Sequence, residues 1–347
     1  MDFTPSEEQS AAQGLAARIF GDLSTHERLV AAGTGTDAEL WKELCAAGLP
    51  GAVEDVGLLG LVLLLEEQGR TTAQVPFAAT CVYGLLVIAE HGTAEQRERL
   101  LPGLRDGTAV ATGAFPARGG VHASDGALYG AVPWVPWLRD ATQVLVADAD
   151  RALWIVEAGA PGVAVVPVET TAPWAAGRLV LDGVRGERVG DGPGAYAAVL
   201  ATARTAFAGL QAGVCAGSLA RAVHHTATRE QFGRPLSTNQ GVLLRAADAH
   251  MDTEAIRVTA YEAAWRRDEQ KECGAQALTA AWWASEAGKR VVHAGQHLHG
   301  GTGADLDHPV HRHFLWGRQL DAYLGCGSEV LEELGLLLAD SRQGDAS

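Results

Sequence analysis

Three long stretches of helical period in the C-terminal half constrain this chain more than any other feature. Residues 197–229, 239–270 and 274–295 are Ala-rich, with apolar residues at 3.6-type spacing. They are parted by Gly233-Arg234-Pro235 and by the segment around Glu272 to Gly274, and a third break falls at 300–309. Gly and Pro at such places end helices and turn the chain, and helices this long pack antiparallel in a bundle.

The rest of the chain has two other textures. Residues 6–106 are helical in pattern, with caps and helix formers, and Thr93 with Gln96 makes a capping box. The exception is 50–56, where Pro, Gly and acidic residues together favour a loop. Between about 109 and 184 come short β-rich runs, among them 143–147, 153–156, 162–168 and 178–181, separated by Asp, Gly and Pro. That spacing predicts an antiparallel barrel or sandwich. The fold class is therefore α+β: an N-terminal helical domain at 1–108, a middle β domain at 109–188, a C-terminal helical bundle at 189–340 and a polar tail at 341–347.

Charge and apolar runs narrow the function. Lys and Arg total 27 against 42 Asp and Glu, a net −15, and a field of that sign repels phosphate backbones and anionic headgroups, so nucleic acid is not an expected partner. The longest apolar run, 57–65, ends at Glu66, far short of the ~20 residues a bilayer requires, so no membrane span is expected. Met1-Asp2-Phe3-Thr4-Pro5-Ser6-Glu7-Glu8 has neither a basic nor an apolar signal region, and the cytoplasm is the expected compartment. Five scattered cysteines, with no C-x-x-C pair, read as buried free thiols.

The clearest chemical motif is Arg229-Glu230-Gln231-Phe232-Gly233-Arg234-Pro235-Leu236, closed by Gln240, at the junction of two long helices. Arg229 alone reads either as an anion ligand or as a cation satisfying the last carbonyls of its helix. The full pattern R-x-x-F-G-x-P-L-x-x-x-Q resembles the signature of the acyl-CoA dehydrogenase family. Supporting marks stand in the same order along the chain: Met1-Asp2-Phe3, Gly92-Thr93-Ala94-Glu95-Gln96 with Leu101-Pro102, and His299-Gly300-Gly301-Thr302-Gly303.

The resemblance implies a helical N-domain, a middle β domain and a C-terminal four-helix bundle, with FAD bound between the β domain and helices and partly by a neighbouring subunit. It further implies that Arg229 holds the pyrophosphate, that Phe232 packs by the cofactor, that Gln240 hydrogen-bonds it and that Gly300 and Gly301 allow close backbone approach. Trp134, Gln296 and His297 complete the implied cofactor set. Departures from the family pattern are visible. The usual L-T-E-P reads Gly113-Ala114-Phe115-Pro116, and the usual W-V-T reads Trp134-Val135-Pro136. Proline has no N–H to offer flavin N5. His297 stands where glutamine is usual, with Gln296 displaced by one.

The family reaction needs a glutamate to remove the α-proton of an acyl thioester while the β-hydrogen leaves as hydride. The matching Y-E-G-T stretch here is Tyr323-Leu324-Gly325-Cys326, and the alternative position is Ala203 before Arg204. Neither can accept a proton. Asp321 is the nearest substitute, with Glu329 beyond it, and its other reading is a carboxylate paired with Arg318. His293, His297, His299, His308, His311 and His313 suggest metal ligation, yet no H-E-x-x-H is present and no metal is expected. The function implied is FAD-dependent α,β-desaturation of an acyl-CoA or carrier-bound thioester, with electrons passed to an electron-transfer flavoprotein. The alternative is a non-catalytic subunit that pairs with a competent relative around a shared flavin. Either way a homo- or hetero-oligomer is expected.

Overall fold

The helical N-terminal zone takes its boundaries from polar caps. Helices α1 (Glu7–Leu23), α2 (His26–Ala32), α3 (Ala38–Ala46), α4 (Leu49–Thr71), α5 (Phe77–Thr80), α6 (Val87–His91) and α7 (Ala94–Asp106) follow in order. Thr25 and Asp37 accept from the Arg28 and Leu40 amides, and Thr93 with Gln96 forms the reciprocal capping box. A π-helical stretch, Cys81–Leu86, joins α5 to α6.

The computed structural model describes residues 2–344, with side chains up to residue 340. Of the tail expected at 341–347, residues 345–347 lie outside the described residues. The described chain divides into two compact units. One comprises the chain up to Gln13, Leu58–Ala73 and the described residues from Arg204 on; the other comprises Gly14–Gly57 and Gln74–Ala203.

The loop expected at 50–56 is helical instead. Pro50 sits in the first turn of α4, where its missing N–H deprives no carbonyl of a partner. The interruption falls at Gly57, whose φ of 72° and ψ of −171° leave the helix. Beyond it, the Leu58 and Leu59 amides donate to the Asp268 carboxylate at 2.8 and 2.9 Å, a cap borrowed from 209 residues away.

In the second unit, β1 (Ala111–Ala114), β2 (Val121–Ser124), β3 (Ala127–Val135), β4 (Gln143–Ala147), β5 (Leu153–Glu157), β6 (Val163–Pro167), β7 (Gly177–Arg185) and β8 (Glu187–Val189) form two four-stranded sheets. Their orders are β1-β4-β5-β8 and β2-β3-β7-β6. Val144 and Val146 of one sheet share a buried core with Leu128, Leu179 and Leu181 of the other, the period-2 pattern of sheets packed face to face. One pairing departs from the antiparallel expectation: β1 and β4 run parallel. Side-chain alternation is the same in both directions, so the sequence carries no sign of strand polarity. At the β4–β5 turn, the buried Asp148 accepts from the Asp150 and Ala152 amides and the Trp154 indole N–H.

The long helices are α8 (Pro193–Thr228), α9 (Gln240–Asp268), α10 (Gly274–Leu298), α11 (Pro309–Leu320) and α12 (Gly327–Gly344). By length and hydropathy α8 could cross a bilayer, but 72% of its apolar window is buried inside the protein, which marks a core helix. In the first unit α8 meets α4 backbone to backbone. A Cβ on Gly209, Gly213 or Gly217 would fall 2.7 Å from Val62 Cγ1, 2.1 Å from the Glu66 carbonyl oxygen and 2.3 Å from the Arg70 carbonyl oxygen. Nearby, the almost fully buried Glu66 is paired with Arg257 Nε at 3.0 Å. Burial pushes the Glu66 carboxyl up, and the arginine opposes that shift.

Candidate functional site

The motif that carried the sequence reading folds into a tight hinge after α8. The Arg229 amide donates to the His225 carbonyl at 2.8 Å, and the Leu236 amide returns to the Arg229 carbonyl at 2.9 Å. Between them β9 (Glu230–Gln231) and β10 (Arg234–Pro235) pair antiparallel around Phe232 and Gly233. Both apex residues have left-handed backbone, φ 53° and 75°; for a phenylalanine that is a strained state. Its ring is fully exposed. Arg229 and Gln240 are exposed too, and among the described residues no carboxylate pairs with Arg229.

The second implied element is the turn after α10, where a 3₁₀ segment covers Gly300–Ala304 and Gly300 is left-handed at φ 62°. A Cβ on Gly300 or Gly301 would meet nothing, so both backbone faces are clear. Of the two displaced candidates, Gln296 turns inward to the Gly303 carbonyl at 3.0 Å, whereas His297 is exposed. Hinge and turn are tied together by His225, whose ring stacks on His299 at 4.7 Å.

Trp134 and its neighbours lie in the second unit. Trp134 and Trp137 both stack near Trp174, at 6.3 and 6.1 Å between ring centres. The Pro136 carbonyl accepts from Thr112 Oγ1 at 2.5 Å. Phe115, which stands in the stretch replacing L-T-E-P, is drawn inward: it stacks on Tyr196 at 4.9 Å and lies 5.8 Å from Tyr83.

The two positions where the resemblance would put a base are apolar in the fold as in the sequence. Leu324 and Ala203 are buried. Arg204 Nε and Nη2 donate to the Leu324 carbonyl at 3.4 Å, and Arg204 is bidentate to Glu333 at 2.6 and 2.9 Å. The cavity left beside Arg204, Phe207, Gln211, Tyr323 and Leu324 holds about 20 Å³, room for one water. Asp321 is placed with its two oxygens engaged, one by Ser285 Oγ at 2.6 Å and one by Arg318 at 3.1 Å. Glu329 accepts from the Cys326 amide at 3.0 Å, at the start of α12.

The histidines group differently from their sequence spacing. His299 gathers with His225 and with His308, 5.0 Å away, whereas His293 meets Phe314 edge to face. His313 is buried, between the Arg70 and Pro309 carbonyls, and burial pushes its pKa down to about 4. Among the described residues no group of three His, Cys, Asp or Glu is placed to hold a metal ion. Sequence reasoning missed His225 and Arg221, which stand one and two turns before the motif arginine. Their spacing from His308, more than 80 residues, hides the cluster.

Comparison with known proteins bears on the same elements. The model of the acyl-CoA dehydrogenase N-terminal domain matches residues 6–108, and that of the C-terminal domain matches 190–334. Acyl-CoA dehydrogenase FadE27 of Mycobacterium tuberculosis is 34% identical over 98% of this chain and 100% of its own length. A solved Tcur3481-Tcur3483 steroid ACAD variant is 43% identical, with a TM-score of 0.92 over 98% of this chain and 99% of its own. The ChsE4-ChsE5 complex of M. tuberculosis contains a chain 31% identical, with a TM-score of 0.90 and the same coverage. With the hinge, the H-G-G turn and the helix–sheet–helix order all in place, the chain belongs to the acyl-CoA dehydrogenase family, FAD-dependent flavoproteins that desaturate acyl thioesters.

Proposed function

We propose that this chain serves the α,β-desaturation of a bulky, ring-bearing acyl thioester as one subunit of an oligomer, with its hinge and H-G-G turn given to FAD. The observation that carries this is the hinge, where a cation with no carboxylate partner among the described residues and an aromatic ring in strained backbone are both exposed. That donor set fits a dinucleotide: Arg229 answers the pyrophosphate charge, Phe232 covers a ring edge, Gln240 and His297 hydrogen-bond, and Gly300 and Gly301 admit close approach. When bound, the flavin supplies the acceptor for the β-hydrogen. On the β side the fit is poorer, since Pro136 has no N–H and Trp134 is stacked with Trp174. The backbone at Leu324 keeps its amide, a donor suited to polarising a thioester carbonyl. A ring-bearing substrate is supported by the relative named a steroid ACAD, and an assembly of unlike chains by the ChsE4-ChsE5 complex. CoA or a carrier protein as the thioester, an electron-transfer flavoprotein as the electron acceptor and a cytoplasmic setting complete this reading.

A second reading is favoured by one observation: both base positions are apolar and buried, and Asp321 is engaged by Ser285 and Arg318. On it the chain has no base of its own and lends Arg229 and residues 296–303 to a flavin shared with a competent subunit. The test is flavin content and acyl-CoA turnover of the purified chain, alone and after mixing with a related subunit. Yellow flavin absorbance is expected in at least one condition, with Arg229→Ala weakening flavin retention about tenfold or more, the ~1.5–3 kcal/mol of a charge-assisted hydrogen bond. Turnover by the chain alone supports the first reading, and Asp321→Asn should then abolish it. Turnover only on mixing supports the second. Absence of flavin in both conditions overturns both.

A further inference from the structure

A concavity of about 560 Å³ opens among Arg221, His224, His225 and Thr228 of α8, His299 at the end of α10, and His308 ahead of α11. All of these belong to the first compact unit. On a chain with 42 acidic residues against 27 basic ones, no Asp or Glu lines it. One carboxylate, Asp305, acts on His308 from outside the lining and accepts from the Asp307 amide at 3.1 Å. Arg221 lines the concavity with its side chain exposed, and it has no hydrogen-bond or ion-pair partner among the described residues, so its guanidinium is open to a bound anion.

The imidazoles are set by backbone contacts. The Val310 amide donates to His308 Nδ1 at 3.2 Å, which keeps the His308 proton on Nε2 as a free donor. His299 Nδ1 donates to the Gly295 carbonyl at 2.7 Å, leaving Nε2 as the ring's other polar atom. His225 lies on one side of His299 at 4.7 Å and His308 on the other at 5.0 Å, so an anion seated there would meet three imidazoles at once.

We propose that this concavity is a binding site for a phosphate monoester, with Arg221 as its charge partner and His308 Nε2–H as its hydrogen-bond donor. Unliganded, His225 and His308 are held below the ordinary histidine pKa by burial first and then by their cationic neighbours. An anion reverses the sign of those neighbours' effect, so binding takes up protons and strengthens as pH falls. The charged and titratable groups that share in this are Arg221, His224 and Arg229 on α8, His299, Asp305 and His308, with His313 of α11 facing Arg221.

The test is calorimetric titration of the full chain with inorganic phosphate and with sulfate, whose charge is constant near neutrality. One site per chain is expected, with sulfate bound about tenfold more tightly at pH 6 than at pH 8. Arg221→Gln should weaken phosphate about tenfold or more, while Arg221→Lys, which keeps the charge, should hold it within about threefold. Independently of any variant, phosphate should shift the ring NMR signals of His225, His299 and His308 and leave His122 of the other unit in place. Coenzyme A against dephospho-coenzyme A distinguishes a nucleotide 3′-phosphate from free phosphate: a gain for coenzyme A alone assigns the former, and equal binding of phosphate the latter. The proposal is overturned if wild type binds neither anion, if Arg221→Gln binds as well as wild type, or if FAD displaces phosphate in direct competition, since the seat would then be the dinucleotide's own.

Discussion

At the scale of single residues, burial decides which side chains are tuned. His313 lies fully buried between two carbonyls, and burial pushes its pKa to about 4. Its folded value lies below the ordinary 6.5, so the unfolded chain binds the proton first as pH falls. Its contribution to stability is therefore whole above pH 6.5 and lost on the way down to pH 4, on the order of 3 kcal/mol. Denaturant unfolding at pH 7 and pH 4.5 should show a smaller acid loss for His313→Gln than for wild type, although the variant starts lower at pH 7. An equal acid loss in both would refute the assignment. Nothing in the sequence separates His313 from His311 two residues away. Burial is a property of the fold, and the pattern H-R-H gives both the same prior. Arg229, by contrast, was legible because its neighbours Phe232, Gly233 and Pro235 demand a turn, and a turn leaves the arginine at a helix end.

Elements are held by contacts of the kind that glycine permits. Gly213→Ala would drive a methyl into the Glu66 carbonyl, 2.1 Å from the ideal Cβ position, and should cost about 1–3 kcal/mol or more as overpacking. Gly21→Ala, in α1 with open space around it, should be neutral or stabilising by about 0.4–1 kcal/mol. Urea midpoints of the two variants measure the contrast, and equal shifts would show that α4 and α8 are not in register as described. The element order, the capping box at Thr93 and the ends of α8, α9 and α10 were readable because caps and breakers act locally. The helix at 50–56 was not, because Pro in a first turn and Pro in a loop look alike until the following residues commit. The parallel β1–β4 pair and the Asp268 cap on Leu58 depend on partners far along the chain, which no local pattern encodes.

For the whole molecule, the exposed apolar residues suggest which face an assembly covers. Leu244, Met251 and Val258 repeat every seven residues along α9, about half or more of each accessible, and Phe232 stands fully exposed at the preceding hinge. Placing charge there, as Leu244→Asp with Met251→Asp, should lower the mass seen in sedimentation while leaving far-UV circular dichroism unchanged; unaltered mass would remove α9 from the interface. The family's architecture was legible end to end because its motifs punctuate the whole chain. Its chemistry was legible only as an absence at Leu324 and Ala203, and the structure adds what fills that absence, an arginine bonded to a backbone carbonyl and to Glu333. The three stacked indoles of Trp134, Trp174 and Trp137 carry a practical consequence. Chromophores this close share their excitation, so the second unit has a built-in optical signature: near-ultraviolet dichroism can follow its integrity during assembly or cofactor loading without a dye or a label.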